Sequence, residues 1–245
     1  MGPSSPLPPV TEDAFYRGRI RVLQNRRGYR FSVDAPILAD FILPSSHRAL
    51  EIGTGCGIIS LLLICQEKYP FLDAVEIQPS LADLARRNRD RNRFEGRMRV
   101  WEGDFREIFG RFAGTREVFS NPPFFPLCRG KISPVEELRI AKSEYSLSLS
   151  ELMSRVREIL GAGGNFTLVL PWDRRRDLMD MAERKGFFLR RLREIRPYRD
   201  RKPNRFLVQL TNRVCQTETM SPLVLYRELN RYSEEMENIL TGPQS

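Results

Sequence analysis

Apolar residues fall into two rhythms that alternate along the chain: short runs, and longer stretches with helical spacing. Residues 49–52 form a short run that enters a glycine-rich turn, and residues 58–64 follow as a stretch that is apolar but for Ser60 and predicts a buried helix. Further short runs at 71–75, 98–101, 117–120, 165–170, 187–196 and 205–210 bring the expected strands to seven. Pro79 suits the first turn of a helix whose exposed side carries Arg86, Arg87, Arg89, Arg91 and Arg93. Residues 148–160 predict another helix, with a stop at Gly161 or Gly163, and residues 173–185 a further one with a stop at Gly186. Strands alternating with helices at this spacing predict an α/β fold, a mostly parallel seven-stranded sheet with helices on both faces. The last two runs have no helix between them, which predicts an antiparallel C-terminal edge.

The first nine residues hold four prolines and little that can pack. Residues 1–11 therefore read as a flexible lead-in and 241–245 as a flexible tail. Between them lies a single domain over 12–240, with an N-terminal extension over 12–48, a loop over 126–146 and a C-terminal hairpin over 187–212. At 245 residues and 41% hydrophobic, the chain can bury one sizeable core. No apolar run approaches bilayer length and no secretory leader precedes the domain, so a cytoplasmic protein without stable membrane association is expected. Cys56, Cys65, Cys128 and Cys215 are widely spaced and His47 is the only histidine, so neither a disulfide framework nor a metal is expected. Net charge is +9, from 40 Lys plus Arg against 31 Asp plus Glu. Arginine dominates the surplus, with clusters at 174–176 and 190–205, and points to a polyanionic partner.

Candidate chemistry sits at the ends of the expected strands, where ligands of such sheets bind. Gly53, Gly55 and Gly57 allow a tight turn and leave no Cβ where a cofactor approaches. Their spacing is not the one used to hold a dinucleotide pyrophosphate. It suits S-adenosylmethionine, which has a methionine tail and no phosphate. Glu76 ends the second strand, where its carboxylate can accept hydrogen bonds from both ribose hydroxyls. Asp104, past the third, can accept from the adenine amine; a helix cap or a solvated acid is the alternative for both. Thr54 and Cys56 are expected to shape the turn.

Asn121, Pro122, Pro123 and Phe124 follow the fourth strand. Two prolines stiffen the backbone there and fix the Asn121 side-chain carbonyl and the Pro122 backbone carbonyl in direction. Two such acceptors can hold a planar NH2 group so that its delocalised lone pair faces a methyl sulfonium, a stabilisation that acts mainly in the transition state. Phe124 offers a flat face for a base.

Taken together, these motifs resemble the class I, Rossmann-like methyltransferases that modify amino groups through an Asn/Asp-Pro-Pro-aromatic motif. The stretch Gly28-Tyr-Arg-Phe-Ser-Val-Asp-Ala-Pro-Ile-Leu-Ala-Asp-Phe41 is similar to the segment before the first strand in the bacterial tRNA(Val) adenosine-37 N6-methyltransferase family. So are Glu51-Ile-Gly-Thr-Gly-Cys-Gly-Ile-Ile-Ser-Leu61, Ser120-Asn-Pro-Pro-Phe-Phe125 and Ile140-Ala-Lys-Ser-Glu144. Phe124 stands where tyrosine is common, Lys142-Ser143 replaces a basic residue followed by histidine, and Pro36 follows the Ser-Val-Asp-Ala run.

The resemblance implies methylation of the adenosine N6 amine in tRNA, with S-adenosylmethionine as methyl donor and S-adenosylhomocysteine as product. Glu51, Gly53, Thr54, Gly55, Gly57, Glu76, Ile77, Asp104, Phe105 and Asn121 would line the cofactor site, and Asn121 to Phe124 would hold the target. Asp34 would lie near the methionine part, unless Ser32 or Asp34 simply caps a helix beginning near Pro36. Arg129, Lys131 and Arg139 in the 126–146 loop, and Arg199, Lys202 and Arg205 in the C-terminal hairpin, are the candidate RNA contacts. Two alternatives remain at this point. One is a glutamine N5-methyltransferase of peptide-release factors, disfavoured because few residues precede the first strand. The other is a nucleic-acid-binding module with a vestigial cofactor site.

Overall fold

The computed structural model describes residues 10–26, 32–122 and 147–242. At its centre lies strand β3 (Ala49–Ile52), all four residues buried. The chain leaves β3 through helix α2 (Ile58–Cys65) to β4 (Leu72–Glu76), then through α3 (Pro79–Arg91) to β5 (Met98–Glu102), each strand parallel to the last. It returns through the short α4 (Phe105–Ile108) to β6 (Thr115–Ser120), which pairs with the opposite side of β3. Helix α5 (Leu149–Ile159) leads into β7 (Leu160–Pro171), parallel to β6. After α6 (Arg175–Arg184), β8 (Phe188–Arg196) and β9 (Arg205–Thr211) form an antiparallel pair, with β9 inserted between β7 and β8.

Those are the seven expected strands, with the antiparallel C-terminal pair. The sheet is extended to nine by two short segments the sequence pattern did not reveal, β10 (Glu218–Thr219) and β11 (Leu223–Val224), both parallel to β8. The long strands β7 and β9 alternate between two buried clusters. Phe166, Leu168, Phe206 and Val208 join one face, while Val169 and Leu207 join the other. Covering both faces is what a parallel sheet requires.

Helix α2 is apolar but for Ser60 and buried from Ile58 to Ile64, so it needs cover on its outer side too. Helix α1 (Asp34–Phe41) and an N-terminal hairpin, β1 (Val10–Phe15) with β2 (Ile20–Asn25), supply it through Ile20, Val22, Ile37 and Leu38. Val10 and Thr11, within the stretch read above as a lead-in, pair with Asn25 and Gln24 in this hairpin. The C-terminal hairpin β12 (Tyr226–Glu228) and β13 (Arg231–Tyr232), with helix α7 (Glu234–Thr241), closes the same face.

The glycine stop expected after residue 160 is corrected. Helix α5 ends at Ile159, and Leu160 turns straight into extended backbone to begin β7. The glycines serve the strand: a Cβ on Gly161 would sit 2.9 Å from the Gly114 carbonyl oxygen, where the β6–β7 register shifts. Gly186, at φ +70°, does end a helix, as expected.

Candidate active site

The order of strands reverses between β3 and β6, and ligands of open α/β sheets bind in the crevice at that point. Ile52 is opposite Ser120 on β6 and opposite Val75 on β4. One residue further on, Gly53 therefore lies between Asn121 and Glu76 at the carboxyl rim, with neighbouring strands ~5 Å apart. The Ser120 hydroxyl donates to the Ile52 carbonyl at 2.7 Å and ties the two strand ends together. Asn121 and Pro122 are both half-buried at this rim. Pro123 and Phe124 lie outside the described residues, as do Arg129, Lys131 and Arg139.

All three glycines of the turn have left-handed backbone, at φ +74°, +59° and +89°. They serve different ends. A Cβ on Gly53 would point into open space, which is the clearance a cofactor needs. A Cβ on Gly57 would press at 3.3 Å on the Met98 side chain, so this glycine lets α2 approach α3 and β5. Thr54 closes the turn: its carbonyl accepts from the Gly57 N–H at 2.9 Å, and its hydroxyl donates to Glu51 Oε2 at 2.8 Å.

Glu51 is fully buried under the turn. Oε2 also accepts from the Ser60 N–H at 3.2 Å and from the Ser60 hydroxyl, whereas Oε1 has no hydrogen-bond partner. Burial, with Glu76 adding repulsion, pushes this carboxyl up to about 7 against the pull of those hydrogen bonds. A buried acceptor left unmade is costly, which makes Oε1 the candidate acceptor for a donor from outside the chain. Glu76 is buried beside it. Its Oε2 accepts from the Gly55 N–H at 2.8 Å and its Oε1 from the Gln78 N–H at 2.9 Å. Both bonds orient the carboxylate, an acceptor-only group of the kind that pairs with hydroxyls. S-adenosylmethionine fits these acceptors: open space over Gly53, an unpartnered carboxylate oxygen for its ammonium, and an oriented acid for its ribose.

Other expected site residues are placed as follows. Asp104 caps α4, accepting from the Arg106 N–H at 2.9 Å, and both its oxygens are bonded by the Arg106 guanidinium. That pairing holds its carboxyl below the usual range. The capping alternative is therefore the role these contacts describe. The Phe105 ring is buried against Phe112 and Phe109, so its side chain belongs to the core. Ile77 stays half-buried beside Glu76. Asp34 is buried at the start of α1, where the Ser32 hydroxyl donates to it at 2.8 Å. Its other oxygen lies 3.0 Å from Arg205 Nε. Arg205, expected on an RNA-facing surface, is thus turned inward to an acid, while Arg199 and Lys202 remain exposed.

Sequence reasoning missed three polar residues here. Ser60 sits on Glu51. Gln78 leaves its side-chain carbonyl buried without a partner next to Glu76. Asn88, fully buried on α3, donates to the carbonyls of Cys56 at 2.8 Å and Leu23 at 2.9 Å and accepts from the Leu23 N–H at 2.7 Å. It clamps the glycine turn to β2. Its place inside an arginine run disguised it; a polar side chain on the buried stripe of an amphipathic helix was the available signal. Among the described residues no group of three or more His, Cys, Asp or Glu is placed to hold a metal ion, and no helix is long and apolar enough to cross a membrane.

No protein-family model matches the chain. A protein of Parabacteroides distasonis named tRNA1(Val) (adenine(37)-N6)-methyltransferase is 31% identical over 194 residues, covering 79% of this chain and 81% of its own length. A Tolumonas auensis protein of the same name is 28% identical, covering 86% of this chain and 88% of its own. Among solved structures, a predicted O-methyltransferase of Agrobacterium tumefaciens shares the fold, with a TM-score of 0.62 at 16% identity over 84% of this chain and 94% of its own.

Proposed function

The chain belongs to the tRNA1(Val) (adenine(37)-N6)-methyltransferase family, and from that membership we propose that it methylates the N6 amine of adenosine 37 in tRNA(Val). The observation that carries the reading is the meeting of Asn121 and Pro122 with Gly53 and Glu76 at the reversal of strand order. A flat NH2 group is a poor nucleophile because its lone pair is delocalised, so the protein must orient it.

S-adenosylmethionine supplies, when bound, a methyl group on positively charged sulfur. Glu51 would hold the ammonium end through Oε1 and Glu76 the ribose, while Gly53 would leave room for the cofactor. The Asn121 side-chain carbonyl and the Pro122 backbone carbonyl accept the two amine hydrogens, which turns the nitrogen lone pair toward the methyl. Since these acceptors strengthen as the nitrogen becomes positive, they act mainly on the transition state. No basic side chain is needed, because the methylated nitrogen is acidic enough to lose its proton to water. Pro123 and Phe124 complete the target side, with Phe124 as a face for the extruded base. The reaction is assigned to the cytoplasm, where its tRNA substrate is found.

The test is incubation with labelled S-adenosylmethionine and small RNA from cells lacking the gene, followed by nucleoside analysis. Label in N6-methyladenosine at one tRNA(Val) position is expected. Label in another base, or none in RNA while a release-factor glutamine is methylated, refutes the proposal.

A further inference from the structure

We propose that the turn joining β8 to β9, backed by a stack of three tyrosines, is a docking platform for the single-stranded RNA that flanks the target nucleotide. This rests on the tRNA-methylation reading above. The surface uses residues outside the cofactor site and a C-terminal segment for which the sequence pattern predicted nothing.

Placement comes first. Arg205, at the start of β9, is opposite both Pro171 at the end of β7 and Ile195 near the end of β8. The 197–204 turn therefore stands on the same carboxyl rim as Asn121. Strand spacing puts β9 ~10 Å and β8 ~14 Å from β6, a separation that neighbouring nucleotides of one strand can span. The turn is also preorganised. Pro197 and Pro203 bracket it, the Arg201 N–H donates to the Tyr198 carbonyl at 3.1 Å, and the Trp172 N–H donates to the Asn204 carbonyl at 3.0 Å.

Charge sorting is the second observation. Four of the strand arginines are engaged by an acid: Arg191 by Glu218, Arg193 by Glu235, Arg196 by Glu194 and Arg205 by Asp34. In the turn itself, Arg199 and Lys202 are exposed and have no acidic partner among the described residues, and Arg201 reaches Asp200 only at 4.0 Å. Cations already neutralised within the fold attract little; those left over are the ones that meet phosphate.

Third is the stack. Tyr198, in the turn, lies 5.6 Å from Tyr226 with its ring tilted by 36°, and Tyr226 lies 5.1 Å from Tyr232 with rings 16° apart. Tyr226 and Tyr232 face each other across β12 and β13, and the Tyr226 N–H donates to the Pro197 carbonyl at 3.0 Å. The C-terminal hairpin thus props Tyr198 from behind, half-buried, at the end of the stack next to the free cations. Flat rings beside unpaired cations suit bases and phosphates of a single strand. An acidic peptide would use the cations and gain nothing from the ring.

The experiment measures binding of a labelled anticodon stem-loop at several salt concentrations to four full-length proteins: the native chain, Tyr198→Ala, Tyr198→Phe and the double variant Arg199→Ala/Lys202→Ala. Tyr198→Ala is expected to weaken binding about tenfold and Tyr198→Phe by less than about twofold, since the phenyl face is kept. The double variant should weaken binding and flatten the slope of log affinity against log salt by about 1.4, for two lost phosphate contacts. Affinity for S-adenosylhomocysteine stays at the native value in all. Native-like RNA binding by both Tyr198→Ala and the exposed, fold-neutral double variant overturns the proposal. So does equal competition by polyglutamate that is equally sensitive to Tyr198→Ala. If the native chain methylates tRNA while the variants bind unchanged, only the platform falls. If the variants lose binding as expected but no adenine is methylated, only the activity falls.

Discussion

Cofactor affinity should rise with pH through the neutral range, and Glu51 is the reason. This carboxyl is fully buried, carries an oxygen with no partner and is pushed up to about 7. A folded-state value raised above the ordinary 4.5 gives stability that is complete below about 4.5 and lost as pH rises through about 7. The loss amounts to at most ~3 kcal/mol for the cofactor-free protein. An incoming ammonium reverses the balance, because it binds the ionised carboxylate. With a midpoint near 7, about one-eleventh of the protein is ionised at about pH 6 and about three-quarters at about pH 7.5. Affinity for S-adenosylhomocysteine should therefore increase about eightfold between these conditions, measured by titration calorimetry. Glu51→Gln should flatten the profile at the weak end. The chain's single imidazole, His47, precedes β3 at the opposite end of the sheet and bonds Ser45 and Arg116, so it does not confound the result. An affinity that is flat from about pH 6 to 7.5 in the native chain would refute the assignment of Oε1 to the ammonium.

Three more consequences are open to measurement. Asn121→Ala should leave cofactor affinity within about twofold of native while the single-turnover methylation rate falls by ~100-fold or more, the scale of losing one aligned transition-state acceptor; equal losses in both would argue against its role. Asn88→Ala strands the Leu23 N–H and the Leu23 and Cys56 carbonyls, so unfolding should be easier by ~3 kcal/mol and Tm lower by roughly 6–12 °C, with cofactor affinity reduced as the turn loosens. An unchanged Tm would show that the clamp contributes nothing. Arg205→Ala leaves Asp34 buried without its cation, which raises that carboxyl further. Its destabilisation, ~2 kcal/mol at neutral pH, should shrink as pH falls and Asp34 protonates, and a penalty independent of pH would exclude the pair as its cause.

What the sequence disclosed and what it hid follow from how local each signal is. The seven strands were legible because each is a short apolar run ended by a turn residue, and Gly53, Glu76 and Asn121 were legible because each ends or directly follows one. Register then brought the three side by side. Contacts between distant segments were not legible. Nothing near Arg205 in the chain announces Asp34, and Asn88 meets Leu23 only because α3 lies against the N-terminal hairpin. Asp104 looked like an adenine ligand because of its place after a strand, yet Arg106 two residues on claims both its oxygens. Gly161 looked like a helix stop, but the close approach of Gly114 gives it another purpose. The segments β10 to β13 are too short and too polar for periodicity to mark.

Catalysis in this account comes down to where the exocyclic nitrogen sits. A structure of the protein with S-adenosylhomocysteine and adenosine monophosphate locates that atom directly. The expected result places N6 within hydrogen-bond distance of both Asn121 Oδ1 and the Pro122 carbonyl oxygen, facing the sulfur above Gly53. An adenine bound with N6 away from both carbonyls, or with its ring in place of the cofactor's own adenine, contradicts it.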